Sequence, residues 1–248
     1  MWVVESAGEA TGFCPRRTYR RPMTAAVDAV LFDLDDTLCT YRRSADDVLA
    51  IAFDRLGVDP FFDGAEYIDR LGEFEHVDGD IRDLRREAFG TFATEAGHER
   101  RVGEDVADLY TDERDQTNVE FLDGAAALLD HLEGRYRIAM VTNGDPWMQG
   151  QKLESLGIAD RFETVVHGGH DAPYKPDPEP FHLALDEIGV DPERAVHVGN
   201  SLEADVAGAL AAGLGAVWLA DGDRALEPDL EPDHVVESLH DIADEPWH

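Results

Sequence analysis

Apolar residues in this chain fall into short runs separated by longer amphipathic stretches. Ala29-Val30-Leu31-Phe32 is one run and Tyr136-Arg137-Ile138-Ala139-Met140-Val141 another. Thr164-Val165-Val166, Ala195-Val196-His197-Val198, Ala216-Val217-Trp218-Leu219 and His234-Val235-Val236 continue the series. Each run is too short for a helix and predicts a strand. Between the runs the apolar spacing turns helical over 125–133, 147–156, 178–188 and 202–212, with Gly134, Gly157, Gly189 and Gly213 where C-terminal caps fall. Apolar strands alternating with amphipathic helices predict a parallel sheet covered on both faces.

Residues 41–121 break the rhythm. The spacing there predicts helices over 44–56, 61–71, 81–96 and 102–117, and no strand. The expected architecture is therefore α/β: a three-layer Rossmann-like core with a parallel sheet, built from 23–40 and 122–248, and an inserted all-helical cap over 41–121. The first 22 residues differ in kind, with Arg16, Arg17, Arg20 and Arg21 against Glu5 and Glu9. They read as a disordered extension, upstream of a second candidate start at Met23. No apolar segment follows the paired arginines, so they do not read as an export signal.

Composition narrows the partners. The chain has 54 acidic and 21 basic residues and a net charge of −33. Such a field repels nucleic acid and anionic membranes, and neither is expected as a partner. The longest charge-free run, 206–220, is too short to span a bilayer. Two cysteines, Cys14 and Cys39, give no disulfide framework, which points to a reducing, cytoplasmic setting. Dense acid with only two lysines, Lys152 and Lys175, suits a salt-rich cytoplasm that screens self-repulsion, a halophilic character.

In open α/β sheets, ligands gather at the carboxyl ends of strands. Four such ends carry polar residues that make sense together: Asp33-Leu34-Asp35-Asp36-Thr37, Thr142-Asn143-Gly144, Lys175-Pro176, and Gly199-Asn200-Ser201 running on to Asp205. Carboxylates at such ends can serve as nucleophiles or as acids and bases. A compact ammonium such as Lys175 suits neutralising an anion. His167 and His170 read as loop histidines, Arg42 and Arg43 as solvated linker residues. Cys39 in an acidic field makes a poor nucleophile.

These four segments, in this order, resemble the four motifs of the haloacid dehalogenase-like hydrolase superfamily over residues 25–240, and the helical insert resembles its helical-cap subgroup. The resemblance implies a Mg²⁺-dependent phosphomonoesterase acting on a small phosphate ester through an aspartyl-phosphate. Asp33 would then be the nucleophile, Asp35 the acid and base, and Thr142, Asn143, the Gly144 amide and Lys175 the phosphoryl contacts. Mg²⁺ would rest on Asp33, the Asp35 carbonyl, Asn200 and waters, with Asp205 as a ligand or an outer anchor. Phosphatases of the family usually carry Asp at the Asn200 position, and an amide brings no charge to a metal. The resemblance leaves two rivals: a 2-haloacid dehalogenase, which Asp35 argues against because a departing halide needs no proton, and an idle binding protein that keeps the fold. The sequence sets neither the substrate nor the oligomeric state.

Overall fold

The computed structural model describes residues 26–220, apart from Glu75 and Asp78, and residues 230–247. The expected extension over 1–22 lies outside the described residues. From the amino end the chain forms β1 (Ala29–Phe32) and, after a tight turn, β2 (Cys39–Tyr41). Four helices follow: α1 (Ala45–Leu56), α2 (Gly64–Arg70), α3 (Ile81–Glu95) and α4 (Arg100–Glu113). The chain returns through β3 (Val119–Phe121) and α5 (Ala125–Leu132). Strands and helices then alternate through β4 (Arg137–Asn143), α6 (Pro146–Leu156), β5 (Val165–Gly168), α7 (Glu179–Ile188) and β6 (Ala195–Gly199). A π-helical segment, Leu202–Ala207, leads into α8 (Gly208–Ala212), followed by β7 (Gly215–Leu219), β8 (His234–Val236) and α9 (Leu239–Ile242).

Six strands form one sheet in the order β5-β4-β1-β6-β7-β8, and every pairing is parallel. β1 sits centrally between β4 and β6, so its four residues are wholly buried, which is why it reads as an unbroken apolar run. Its side chains alternate between faces. Val30 and Phe32 pack with α5 residues Leu128, Leu129 and Leu132, whereas Ala29 and Leu31 pack with Phe181 and Leu185 of α7 and with Val206. No helix of the described residues is long and apolar enough to cross a membrane.

The helical unit between β2 and β3 has its own core, built on Val48, Phe53, Phe62, Phe89, Phe92 and Tyr110. Capping boxes start two of its helices, Ser44 with Asp47 and Asp80 with Asp83. α3 and α4 cross closely at Gly103, where a Cβ would stand 1.9 Å from the Phe89 carbonyl oxygen. The expectation of no strand in this stretch is corrected. β2 and β3 pair antiparallel, Cys39 opposite Phe121 and Tyr41 opposite Val119, and form the two crossings into and out of the helical unit. Three residues are too few to display an alternation, so periodicity misses such a ribbon. The helix expected over 202–212 also opens as π-helix rather than α-helix.

Candidate active site

β1, β4 and β6 are neighbours, so their carboxyl ends bring Asp33, Thr142 and Asn200 to one edge of the sheet. Asp33 is held by its own amide, which donates to the Val198 carbonyl at 3.0 Å. The chain then turns sharply, with the amides of Leu38 and Cys39 both donating to the Leu34 carbonyl and Asp36 at φ +55°. Thr37 Oγ1 donates to Asp33 Oδ2 at 3.3 Å.

Lys175 lies at the centre of the arrangement. Its Nζ donates to Asp33 Oδ1 at 2.8 Å, Asp205 Oδ1 at 2.6 Å and the Val141 carbonyl at 2.8 Å. Asp205 is itself engaged on both oxygens: Oδ1 also accepts from His197 Nε2 at 3.0 Å, and Oδ2 from the Ser201 amide at 2.9 Å. Glycine at 199 permits this, because a Cβ there would meet Asp205 Cγ at 2.2 Å. Asn143 clamps the same lysine from behind, accepting from the Lys175 amide at 2.8 Å and donating to its carbonyl at 3.1 Å.

The second lysine holds the second carboxylate. Lys152 Nζ, on α6, lies 2.7 and 2.8 Å from the two oxygens of Asp35. Gln149, one turn earlier, donates through Nε2 to Asp35 Oδ2 at 3.0 Å and Thr142 Oγ1 at 2.9 Å. Thr142 accepts that bond, so its own proton is free to donate.

The electrostatics follow from burial. Asp33 is 7% exposed, and burial, with Asp205 and Asp35 nearby, pushes its carboxyl up to about 7 against the pull of Lys175. Burial acts on Asp205 in the same upward sense, but Lys175 and His197 overcome it and hold that carboxyl well below the usual range. Lys152 and Lys175 both stay above the ordinary lysine value, because adjacent carboxylates outweigh their desolvation. Burial lowers His197, so its neutral ring donates from Nε2, and Nδ1 is left without a partner. Burial likewise pushes the Cys39 thiol far up, which removes it as a nucleophile.

The expected residues come together at one edge of the sheet, and three of them make hydrogen bonds within the protein. The Asn143 side chain holds the Lys175 backbone with one of its two N–H groups and its oxygen, and the Gly144 amide donates to the Gly168 carbonyl at 3.2 Å. Both Asp205 oxygens accept hydrogen bonds within the protein. Among the described residues, no three His, Cys, Asp or Glu side chains cluster as a metal site. The donors that suit a hard divalent cation are Asp33 Oδ2, which faces no cation, the Asp35 carbonyl and the Asn200 side chain, which has no hydrogen-bond partner among the described residues. Sequence reasoning missed Lys152, Gln149 and His197. The scarcity of lysine that singled out Lys175 applies equally to Lys152.

Known proteins resemble this chain in sequence and in fold. The model of the haloacid dehalogenase-like hydrolase family matches residues 27–213. A phosphoserine phosphatase of Thermus thermophilus is 34% identical over 64% of this chain and 64% of its own length. The match to an N-acylneuraminate-9-phosphatase of Mus musculus is 33% identical and covers 58% of each, so the chain spans about three-fifths of these curated relatives. A ribulose-1,5-bisphosphate 5-phosphatase of Halopiger xanaduensis is 30% identical over 87% of this chain and 98% of its own length. Among solved structures, the magnesium-bound hydrolase YfnB of Bacillus subtilis superposes with a TM-score of 0.73 at 22% identity, covering 90% of this chain and 99% of its own. A 2-haloacid dehalogenase of Pseudomonas syringae gives 0.61 at 27% identity, covering 90% of this chain and 100% of its own. Fold, motif geometry and family match coincide: the chain belongs to the haloacid dehalogenase-like hydrolases.

Proposed function

We propose that this chain is a Mg²⁺-dependent phosphomonoesterase that cleaves a small phosphorylated metabolite through an aspartyl-phosphate. The observation that carries the reading is the pairing of two buried lysines with two carboxylates two residues apart, Lys175 with Asp33 and Lys152 with Asp35. An Asp33 oxygen attacks phosphorus while the ester oxygen departs with a proton from Asp35. Water then attacks the phosphorus of the aspartyl-phosphate, Asp35 takes the water's proton, and the bond from phosphorus to the Asp33 oxygen breaks, which releases phosphate and returns Asp33 to a carboxylate. Lys175 neutralises charge on the phosphoryl oxygens, and Thr142 donates its free hydroxyl proton to one of them. Asp205, His197 and Asn143 act on substrate only through Lys175. Mg²⁺, held by Asp33, the Asp35 carbonyl and Asn200, would supply further neutralisation of the phosphoryl charge.

The helical unit over 41–121 serves as a cap that shelters the phosphoryl group from bulk water and selects the substrate. The net charge of −33 supports a salt-adapted cytoplasmic protein. A second reading, hydrolysis of a 2-haloacid, draws on the dehalogenase neighbour and on Asn200. Asp35 disfavours it.

A panel of phosphate esters with Mg²⁺ in molar KCl, run beside chloroacetate, tests the proposal. Phosphate release that Asp33→Asn abolishes supports it. Halide release without phosphate release replaces it with the dehalogenase, and silence on both substrates favours an idle fold.

A further inference from the structure

Every described arginine is ion-paired to a carboxylate except two, Arg85 and Arg114. Arg85, on α3, is 4% exposed. Its Nε donates to Tyr67 Oη at 3.1 Å and its Nη1 to Thr111 Oγ1 at 3.3 Å. Arg114, just beyond α4, donates through Nη1 to the Arg43 carbonyl at 2.6 Å and lies 4.0 Å over the Tyr41 ring. None of these partners carries a negative charge.

Both guanidinium groups line one cavity of about 390 Å³, walled also by Gln116, Trp147 and Met148 where the helical unit meets the start of α6. Three other charged residues line it. Asp80 and Asp145 are N-caps whose Oδ1 atoms accept backbone amides, of Arg82 and Asp83 in one case and Trp147 and Met148 in the other. Arg82 is spent on Asp108 and Asp112. A buried guanidinium without a counter-charge is costly, and this chain has carboxylates in excess. Two unpaired guanidiniums at one cavity therefore point to a counter-charge that arrives with a ligand. The cavity adjoins the candidate active site, since the Tyr41 ring that carries Arg114 also carries Lys152 Nζ, at 4.8 Å. Its volume suits a small molecule.

We propose that Arg85 and Arg114 form a subsite for a second anionic group on the substrate. The preferred substrates are then short phosphomonoesters with a phosphate or carboxylate at the far end. The assignment of the reacting end rests on the phosphatase reading; the anion subsite does not need turnover.

Calorimetric titration of the full chain, with excess Mg²⁺ and fixed KCl, compares three non-hydrolysable ligands: propane-1,3-diyl bisphosphonate, 3-phosphonopropionate and propylphosphonate. At least one doubly anionic ligand binds about tenfold or more tightly than propylphosphonate, and the better of the two identifies the distal group. Arg114→Gln removes that preference and Arg114→Lys restores part of it. Arg85→Gln does the same wherever its melt shows a folded protein. Equal binding of all three ligands to the unsubstituted protein, no binding of either doubly anionic ligand, or a preference that survives Arg114→Gln overturns the subsite. Nothing is turned over here, so failure of the phosphatase reading appears separately, as inactivity on every phosphate ester.

Discussion

Lys152 grips Asp35 with both carboxylate oxygens within 2.8 Å of one ammonium nitrogen. The lysine is buried while the Asp35 side chain is 37% exposed, so the pair runs from the protein interior to the surface. Holding one rotamer is what a proton donor needs. Lys152→Met should lower kcat about tenfold or more while the protein stays folded, because Asp35 keeps its access to water. Unchanged kcat would show that the pair only packs α6 against the turn.

Asp205→Asn tests the anchor role. The substitution leaves Lys175 buried with one carboxylate in place of two, and breaking a buried ion pair from one side costs about 3–5 kcal/mol. For a chain of this size the melting temperature should fall on the order of 10 °C. A calorimetric melt that does not move would mean that Lys175 is held well enough by Asp33 and the Val141 carbonyl.

Asn200→Asp acts at the cation. One added charge on a partly screened ligand is worth about 1–3 kcal/mol, so the half-saturating Mg²⁺ concentration should drop about tenfold to hundredfold. Titrations at fixed KCl read this directly. No shift would remove Asn200 from the metal.

The raised carboxyl of Asp33 gives stability a pH dependence. Its folded value of about 7 lies above the ordinary 3.8, so the folded, metal-free chain holds a proton that the unfolded chain has released. That stabilisation is complete below the ordinary value and is lost as pH rises through about 7. In chelator, the melting temperature of Asp33→Asn relative to that of the unsubstituted protein should therefore be higher near pH 8 than near pH 5. A relative melting temperature that is higher near pH 5 would reverse the sign and refute the assignment.

Self-repulsion among 54 acidic residues should make the fold salt-dependent. The melting temperature is expected to rise from dilute buffer to molar KCl. Identical melts in the two would remove the halophilic reading.

Much of this was legible in the chain. Short apolar runs flanked by helical periods give the sheet and its covering helices, because burial on both faces leaves a strong signal in Ala29–Phe32 and Arg137–Asn143. Asp33, Asp35, Thr142 and Lys175 converge as the motif order implies. What stayed hidden depends on long-range contact. Lys152 meets Asp35 across 117 positions, and α6 shows no motif that would announce it. The employment of Asn143 on the Lys175 backbone is likewise set by the approach of two loops, which residue type alone does not encode. The β2–β3 ribbon is too short to carry a period.

That ribbon sets how the helical unit is attached. Two separate tethers would let it shear in any direction over the sheet edge; two hydrogen-bonded crossings form a single two-ply strap that bends and twists about its own length. Tyr41 is the last rung, opposite Val119, and its ring touches both Arg114 and Lys152. Side chains alternate along a strand, so one residue inserted ahead of Tyr41 would turn its ring to the other face of the strap. Such an insertion would part Arg114 from Lys152 without altering either residue. The three-residue ladder thus works as a spacer gauge between the helical unit and the sheet edge.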